Sequence, residues 1–211
     1  MDVKTAIETG DAEALRRLLA ERPSRVDELI LWGKNRTHPL HYISDMLFAG
    51  VLARGRELSL ADALIEAGSD INFDGDGKGE TPLIGAASLG AEAVGLRLLE
   101  AGADPSIRGL FGATALHWAA LLGEDLLAAR LIPVSDLNLE DREYHSSPLG
   151  WAIHGWSNPP AGNRGLQRDV VALLVAAGAG VQPEWLQSEA VRADSVMFAL
   201  LRGHRATGDD G

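Results

Sequence analysis

The stretch GATALHWAALLGEDLLAARLI, residues 112–132, contains two short helical patterns separated by a glycine. Thr114 suits the N-cap of the first helix, because its hydroxyl can accept a hydrogen bond from an amide that lacks a partner in the first turn. Gly123 interrupts the apolar pattern, and a second apolar stripe runs from Leu126 to Leu131 at helical spacing. The stretch therefore predicts a pair of antiparallel helices, which is too small to bury both faces without similar neighbours.

Similar turns recur on both sides of this stretch at a regular spacing. The second residues of three of these turns are Pro82, Ala115 and Pro148, and the two steps between them are equal. Pro39 occupies the same place in an earlier copy, at a longer step from Pro82. A period of about 33 residues with a T-P-L-H turn is typical of ankyrin repeats. The sequence thus resembles the ankyrin-repeat family over roughly residues 3–201.

The resemblance implies an all-α repeat, namely an ankyrin-type solenoid of stacked helix pairs with projecting β-hairpin fingers. We expect a single solenoid over residues 1–202, with about six helix pairs including the terminal caps. The second and fifth copies each have nine extra residues between their helices, which predicts inserts near residues 48–58 and 155–168. Residues 203–211 have little to bury, so we expect a disordered tail there.

Composition excludes several classes of function. The chain has 211 residues, a net charge of −11 and no cysteine. Without cysteine it can form neither a disulfide framework nor a thiolate metal site. The negative charge argues against nucleic acid as a partner and slightly favours a partner with a basic surface, although acidity alone also promotes solubility. No apolar run is long enough for a membrane span, and the chain has no signal pattern, so we expect a cytoplasmic protein.

In ankyrin-like proteins, partners usually dock on the concave side, which consists of the hairpin tips and the exposed faces of the first helices. The resemblance therefore implies a non-catalytic protein–protein interaction module whose partner has a basic or apolar surface. Apolar side chains at these positions predict an exposed groove, unless the inserts or a neighbouring tip cover them. The implied partner-binding residues are Met46, Phe73, Asp74, Asp76, Lys78, Leu89, Arg108, Leu110, Phe111, Leu121, Leu122, Arg142, Tyr144 and His154.

A second set of residues matches the structural turns of the repeats. In the family, the histidine of T-P-L-H hydrogen-bonds backbone and turn hydroxyl groups and ties repeats together, a role that the resemblance assigns to His41 and His117. The remaining members are the turn residues themselves. The set comprises Pro39, His41, Thr81, Pro82, Thr114, His117, Ser147 and Pro148.

An alternative function is a small-molecule-binding protein or an unrecognised enzyme. Its site would be a Trp/His-rich pocket around the fifth repeat, formed by Trp118, Trp151, Trp156, His145 and His154. A histidine beside aromatic rings could act as a general base or anchor a ligand, but no partner carboxylate or nucleophile is fixed by spacing. We predict no cofactor and no metal. The loop Asp74–Glu80 faintly resembles a calcium loop, but Lys78 occupies a place where an oxygen ligand is needed.

Overall fold

The computed structural model describes residues 1–75, 79–159 and 164–203. Within these ranges, twelve α-helices follow one another as six consecutive pairs. Contacts within the chain separate two compact units, Met1–Leu110 and Phe111–Gly211, which are described in turn.

The first unit contains three helix pairs arranged as two rows. Helix α1 packs against α3 and α3 against α5, whereas α2 packs against α4 and α4 against α6. Leu15, Ile43 and Leu64 are fully buried between these helices. The helices are α1 (Val3–Thr9), α2 (Ala12–Glu21), α3 (Pro39–Phe48), α4 (Glu57–Glu66), α5 (Pro82–Ser88) and α6 (Glu92–Glu100).

The second unit repeats this arrangement. Helix α7 packs against α9, α8 packs against α10, and α10 packs against α12. Leu116, Leu127 and Trp156 are fully buried in its core. The helices are α7 (Ala115–Leu122), α8 (Asp125–Leu131), α9 (Pro148–Ser157), α10 (Arg164–Ala176), α11 (Glu189–Ala193) and α12 (Ser195–Gly203).

The turn residues determine where the first helix of a pair begins. The hydroxyl group of Thr81 accepts from the amide of Ile84 at 3.3 Å, and that of Ser147 accepts from the amide of Gly150 at 3.4 Å. Both hydroxyls thus satisfy an amide that has no partner within the helix. Proline can occupy a first helical position because its missing N–H is not needed there. The prolines at these first positions are Pro39, Pro82 and Pro148.

His117 joins the start of α7 to the following loop. Its Nδ1 atom accepts from the Thr114 amide at 3.1 Å and lies 2.9 Å from the Thr114 hydroxyl oxygen. Its Nε2 atom lies 3.0 Å from the carbonyl oxygen of Leu139. The ring is fully buried, so both nitrogens find polar partners inside the unit.

The second repeat departs from the role that the sequence assigned to His41. The His41 ring is half-buried, and its Nδ1 atom lies 3.4 Å from Asp45 Oδ2 rather than beside a turn hydroxyl. It packs on Gly85, where any side chain would clash with it. His38 is instead the buried histidine at this turn, and its Nε2 atom lies 2.8 Å from Asp27 Oδ1. The difference follows from His38 standing in the N-cap place that Thr81 occupies one repeat later.

Strands occur in one hairpin of the described residues. Strand β1 (Ile30–Trp32) pairs antiparallel with β2 (Asn35–Thr37) in the connection between α2 and α3. In the described parts of the loops after α4 and α6, where we expected projecting hairpins, the chain forms turns held by aspartate side chains. Asp70 Oδ1 accepts from the Asn72 amide at 3.0 Å, and Asp104 Oδ1 accepts from the Ser106 amide at 2.8 Å. Such side-chain turns compete with strand pairing because they satisfy the same backbone donors.

The two predicted inserts have different outcomes. Residues 49–56 separate α3 from α4, and the amides of Val51 and Leu52 both donate to the Met46 carbonyl oxygen at 3.0 Å. Part of the second insert, residues 160–163, lies outside the described residues, as do residues 204–211 of the predicted tail. The domain boundaries drawn from the sequence therefore stay a prediction.

Candidate functional site

Three pairs of residues at equivalent places in successive repeats surround a hollow in the second unit. Phe111 and Tyr144, Trp118 and Trp151, and Leu121 and His154 are each one repeat period apart. Helices α7 and α9 pack side by side, so equivalent residues of the two repeats become neighbours. The hollow has a volume of about 590 Å³, and its lining residues are Phe111, Trp118, Leu121, Tyr144, Ser146, Gly150, Trp151 and His154. We call it the aromatic hollow.

The four rings of the aromatic hollow form a closed cycle of contacts. The centroid of Trp118 lies 5.0 Å from that of Trp151 and 6.2 Å from that of Phe111. The centroid of Tyr144 lies 5.3 Å from that of Phe111 and 6.1 Å from that of Trp151. The planes meet at angles between 41° and 82°, so neighbouring rings are inclined rather than stacked. Inclined contacts at these distances are the favourable geometry for aromatic pairs.

The cycle has a buried side and an exposed side. Trp151 is only 6% exposed, whereas Tyr144 is 59% exposed. Phe111 and Trp118 are half-buried, and His154 is exposed. Large aromatic side chains accessible on the surface of a protein are typical of contact sites.

The backbone at Phe111 is held in an unusual conformation. Its φ is 62°, in the left-handed region that residues with side chains seldom adopt. Its carbonyl oxygen accepts from the Arg142 amide at 2.7 Å, and the stem of Arg142 lies against Gly112. This link between adjacent loops brings the Phe111 ring close to that of Tyr144.

A buried carboxylate lies behind Trp151. Asp141 is 2% exposed and its Oδ2 atom accepts from Trp151 Nε1 at 2.9 Å. The same carboxylate also accepts from the backbone amides of Glu143, Tyr144 and Ser146 at 2.6 to 3.1 Å. Burial alone would raise the pKa of Asp141, but these donors outweigh it and hold the pKa below its usual value of 3.8. The group is therefore a negative charge stabilised by N–H donors.

Gly150 lines the aromatic hollow and packs closely against its neighbours. It stands one repeat period after His117, so it replaces the buried histidine of the preceding turn. A side chain at this position would clash with the hydroxyl of Ser146 and approach the ring of Trp185. The fifth repeat thus has a small residue where the fourth has a ring.

The remaining residues of the sequence-predicted pocket lie elsewhere. Trp156 is fully buried in the core and His145 is exposed, and neither lines the aromatic hollow. Of the groove residues predicted in this unit, Leu122 is half-buried and Arg142 is exposed.

Placement in the first unit is more varied, and Met46 requires a correction. Its side chain is completely buried, so it does not line an exposed groove. The reason is that the chain turns back immediately after α3 and buries Leu52 as well. Asp76 and Lys78 lie outside the described residues. The remaining predicted partner-binding residues of this unit are the exposed Asp74 and Leu110 and the partly buried Phe73, Leu89 and Arg108.

Sequence reasoning missed a polar cluster in the first unit. Asp27 Oδ1 accepts from Ser69 Oγ at 2.8 Å and from the Asp70 amide at 3.0 Å, in addition to its contact with His38. The ring of His38 stacks on Phe73 at a centroid distance of 4.6 Å. Burial lowers the pKa of His38 below its usual 6.5, although Asp27 opposes this shift. The residues of this polar cluster are distant in sequence, and no regular spacing between them indicates that they meet.

No group of three or more histidine, aspartate or glutamate residues in the described ranges is arranged to hold a metal ion. Among the helices that the structure describes, none is both long and apolar enough to cross a membrane.

Comparisons with known proteins bear out the repeat pattern. Residues 51–140 match the family model of ankyrin repeats, in three copies. The structure is similar to the crystal structure of an ankyrin repeat domain from Acinetobacter baumannii AYE, with a TM-score of 0.69 and 22% sequence identity. That match covers 96% of this chain and 97% of the other. No curated protein matches the chain. The predicted fold class is thereby confirmed.

Proposed function

Because the chain is an ankyrin-repeat protein, we propose that it is a non-catalytic protein-binding module whose partner docks on the aromatic hollow. Ankyrin repeats are generally protein–protein interaction modules, which supports the first part of this proposal. The observation that carries the second part is the cycle of four rings, one of them 59% exposed. Tryptophan and tyrosine are enriched among the residues that dominate binding energy at interfaces.

The lining favours binding over catalysis. His154 and Ser146 are its polar members besides Tyr144, and among the described residues no hydrogen bond joins the two. A nucleophile requires a base within hydrogen-bond reach, and a base requires a group that orients it. Asp141 does not supply this group, because its oxygens accept from Trp151 and from backbone amides.

A matched pair of leucine substitutions tests the docking surface. Leu121 lines the aromatic hollow, whereas Leu126 in α8 is 58% exposed and does not line it. We expect Leu121→Asp to abolish capture of a partner and Leu126→Asp to leave capture unchanged, measured by quantitative affinity purification. Circular dichroism and the melting temperature establish that both variants fold. Retention of the partner by Leu121→Asp, or equal loss by both variants, contradicts docking at this site.

A small-molecule site is the second candidate, and the size of the aromatic hollow supports it. Its volume of about 590 Å³ falls within the range of about 300–1,000 Å³ that is usual for ligand pockets. This function would be favoured over the first by a small molecule that co-purifies with the natural chain but not with the Trp118→Ala variant. The natural chain would then also capture no protein partner.

A further inference from the structure

We propose that the aromatic hollow is a recognition site for a quaternary ammonium group, presented by the partner as a fully methylated lysine side chain. This inference rests on the proposed function, because it names the chemical group through which a protein partner docks. Three features of the hollow carry it: the cycle of rings, the buried carboxylate behind it, and the scarcity of hydrogen-bond acceptors in its lining.

The cycle of rings supplies the attraction for a cation. The face of an aromatic ring carries partial negative charge and attracts a cation within about 6 Å of its centroid. Adjacent centroids in the cycle are 5.0 to 6.2 Å apart, so a group seated over its middle contacts several rings at once. Several inclined rings around one cavity form the kind of wall that surrounds quaternary ammonium ligands in proteins.

Asp141 strengthens the attraction. Its carboxylate is ionised and buried, and none of the described ion pairs neutralises it. The indole N–H of Trp151 donates to it at 2.9 Å, and such a bond to a charged acceptor polarises the donor group. The negative charge remains close to a bound cation without contacting it.

The lining selects a methylated ammonium over a bare one. A primary ammonium carries three N–H donors and a guanidinium carries five, and each needs an acceptor when it leaves water. Only three of the eight lining residues, Tyr144, Ser146 and His154, offer a side-chain acceptor. A quaternary ammonium has no N–H, so it leaves no donor unsatisfied and its methyl groups bury apolar surface against the rings.

Basic side chains do not occupy the site in the described structure. The lining contains no lysine or arginine, and Arg142 lies beside it with its stem against Gly112. A contrasting case occurs in the first unit, where Lys4 Nζ already lies 6.0 Å from the centroid of Trp32. Trp32 is 38% exposed and therefore provides a control tryptophan outside the hollow.

The first experiment separates charge from shape. The full chain is titrated with choline and with the neutral analogue of choline in which carbon replaces nitrogen, and binding is followed by tryptophan fluorescence and NMR. We expect choline to bind at least about tenfold more tightly than the analogue, since the two differ only in charge. Equal affinities, or no binding of choline, would overturn the proposal.

Variants locate the binding. We expect Tyr144→Ala and Trp118→Ala to lower the affinity for choline at least about fivefold, whereas Trp32→Ala and Tyr144→Phe change it less than about twofold. Tyr144 is 59% exposed, so its truncation is compatible with folding. Unchanged affinity in Tyr144→Ala would place choline elsewhere and overturn the proposal. Asp141→Asn should reduce the preference for choline over its analogue while the affinity for the analogue stays constant, which a merely structural role does not predict.

A peptide comparison tests the source of the cation. One short peptide is prepared with an unmodified lysine and with a trimethylated lysine at the same position, in a neutral sequence. Tighter binding of the trimethylated form by about tenfold supports a partner side chain as the ligand. Binding of choline without any preference between the peptides would overturn this part and indicate a free small molecule. Failure here leaves the leucine test of partner docking unaffected, so the two proposals are distinguishable.

Discussion

Trp118 and Trp151 stand one repeat period apart in the sequence, and their ring centroids lie 5.0 Å apart at an interplanar angle of 82°. The contact follows from the period of the repeat, because α7 and α9 pack side by side in register. Each ring also touches a ring from the preceding loop, Phe111 or Tyr144. The pair therefore connects helix packing to the geometry of the candidate binding site.

A double-mutant cycle should detect this contact as a coupling. We expect Trp118→Leu and Trp151→Leu to be non-additive in the free energy of unfolding by about 0.5–1.5 kcal/mol, the range measured for aromatic pairs. Urea denaturation of the four proteins provides the measurement. As a comparison, Trp118→Leu combined with Trp185→Leu, a pair without a described ring contact, should show less coupling.

The left-handed backbone of Phe111 predicts that truncation to glycine leaves a more stable protein than truncation to alanine, which is the reverse of the usual order in a helix. Phe111→Gly and Phe111→Ala both remove the ring, but glycine accepts a φ of 62° without steric cost. We expect the glycine variant to be more stable than the alanine variant by about 1 kcal/mol in urea denaturation. At an ordinary helical position such as Leu126, the same comparison should favour alanine. If alanine is also the more stable choice at position 111, the conformation described there is incorrect.

Gly155 is expected to tolerate no side chain. It lies in α9, and an added Cβ atom would clash with the backbone carbonyl of Leu121 in α7. Because backbone cannot move aside as a flexible side chain can, we expect Gly155→Ala to destabilise the protein by about 1–3 kcal/mol. Gly203→Ala is the matched control, since nothing lies near the corresponding position in α12. Equal stability of the two variants would contradict the close packing of α7 and α9.

His38 should make stability depend on pH. Burial lowers its pKa in the folded state, so below its usual value of 6.5 the unfolded chain binds more protons than the folded one. Stability should therefore be complete above about pH 6.5 and decrease as the pH falls. The titratable groups that face His38 are Asp27, Asp70 and His41. The pKa of Asp27 is also lowered, so its protonation at still lower pH removes further stability.

The variant His38→Asn isolates this contribution. Asparagine is a good N-cap residue and does not titrate, so it suits the N-cap of α3. We expect the difference in unfolding free energy between the natural chain and the variant to shrink as the pH is lowered from 7.5 to about 5. A difference that stays constant or grows over this interval would show that the folded state does not disfavour protonation of His38.

The sequence was sufficient to predict those parts of the site that depend on the repeat period. Trp118 and Trp151, like Leu121 and His154, could be paired by counting one period along the chain. Other features depend on local geometry that a period does not encode. The position of the Phe111 ring requires a left-handed backbone conformation at that residue. Glycine is the one residue type whose presence reliably indicates such a conformation, so a phenylalanine gives no sign of it.

The missed and corrected residues share a physical cause. Met46 occupies a place that faces outward in a regular repeat, but the segment after α3 folds back over it. The side chain of Asp141 accepts hydrogen bonds from amides of its own loop and from the indole N–H of Trp151, ten positions later. His38, Asp27 and Ser69 meet from three separate segments. Contacts of these kinds arise from how individual loops close, and loops vary more freely than the helices that they connect.

The spacing of the three residue pairs offers a route to engineering by tandem duplication. Residues 112–144 constitute one full period, so a second copy inserted after Tyr144 would present a further tryptophan and a further tyrosine in register. The result would be an extended aromatic strip in place of a single closed cycle. The length of the strip could be set by the number of inserted repeats. A site that binds one chemical group would then become a surface that selects partners by the distance between two such groups.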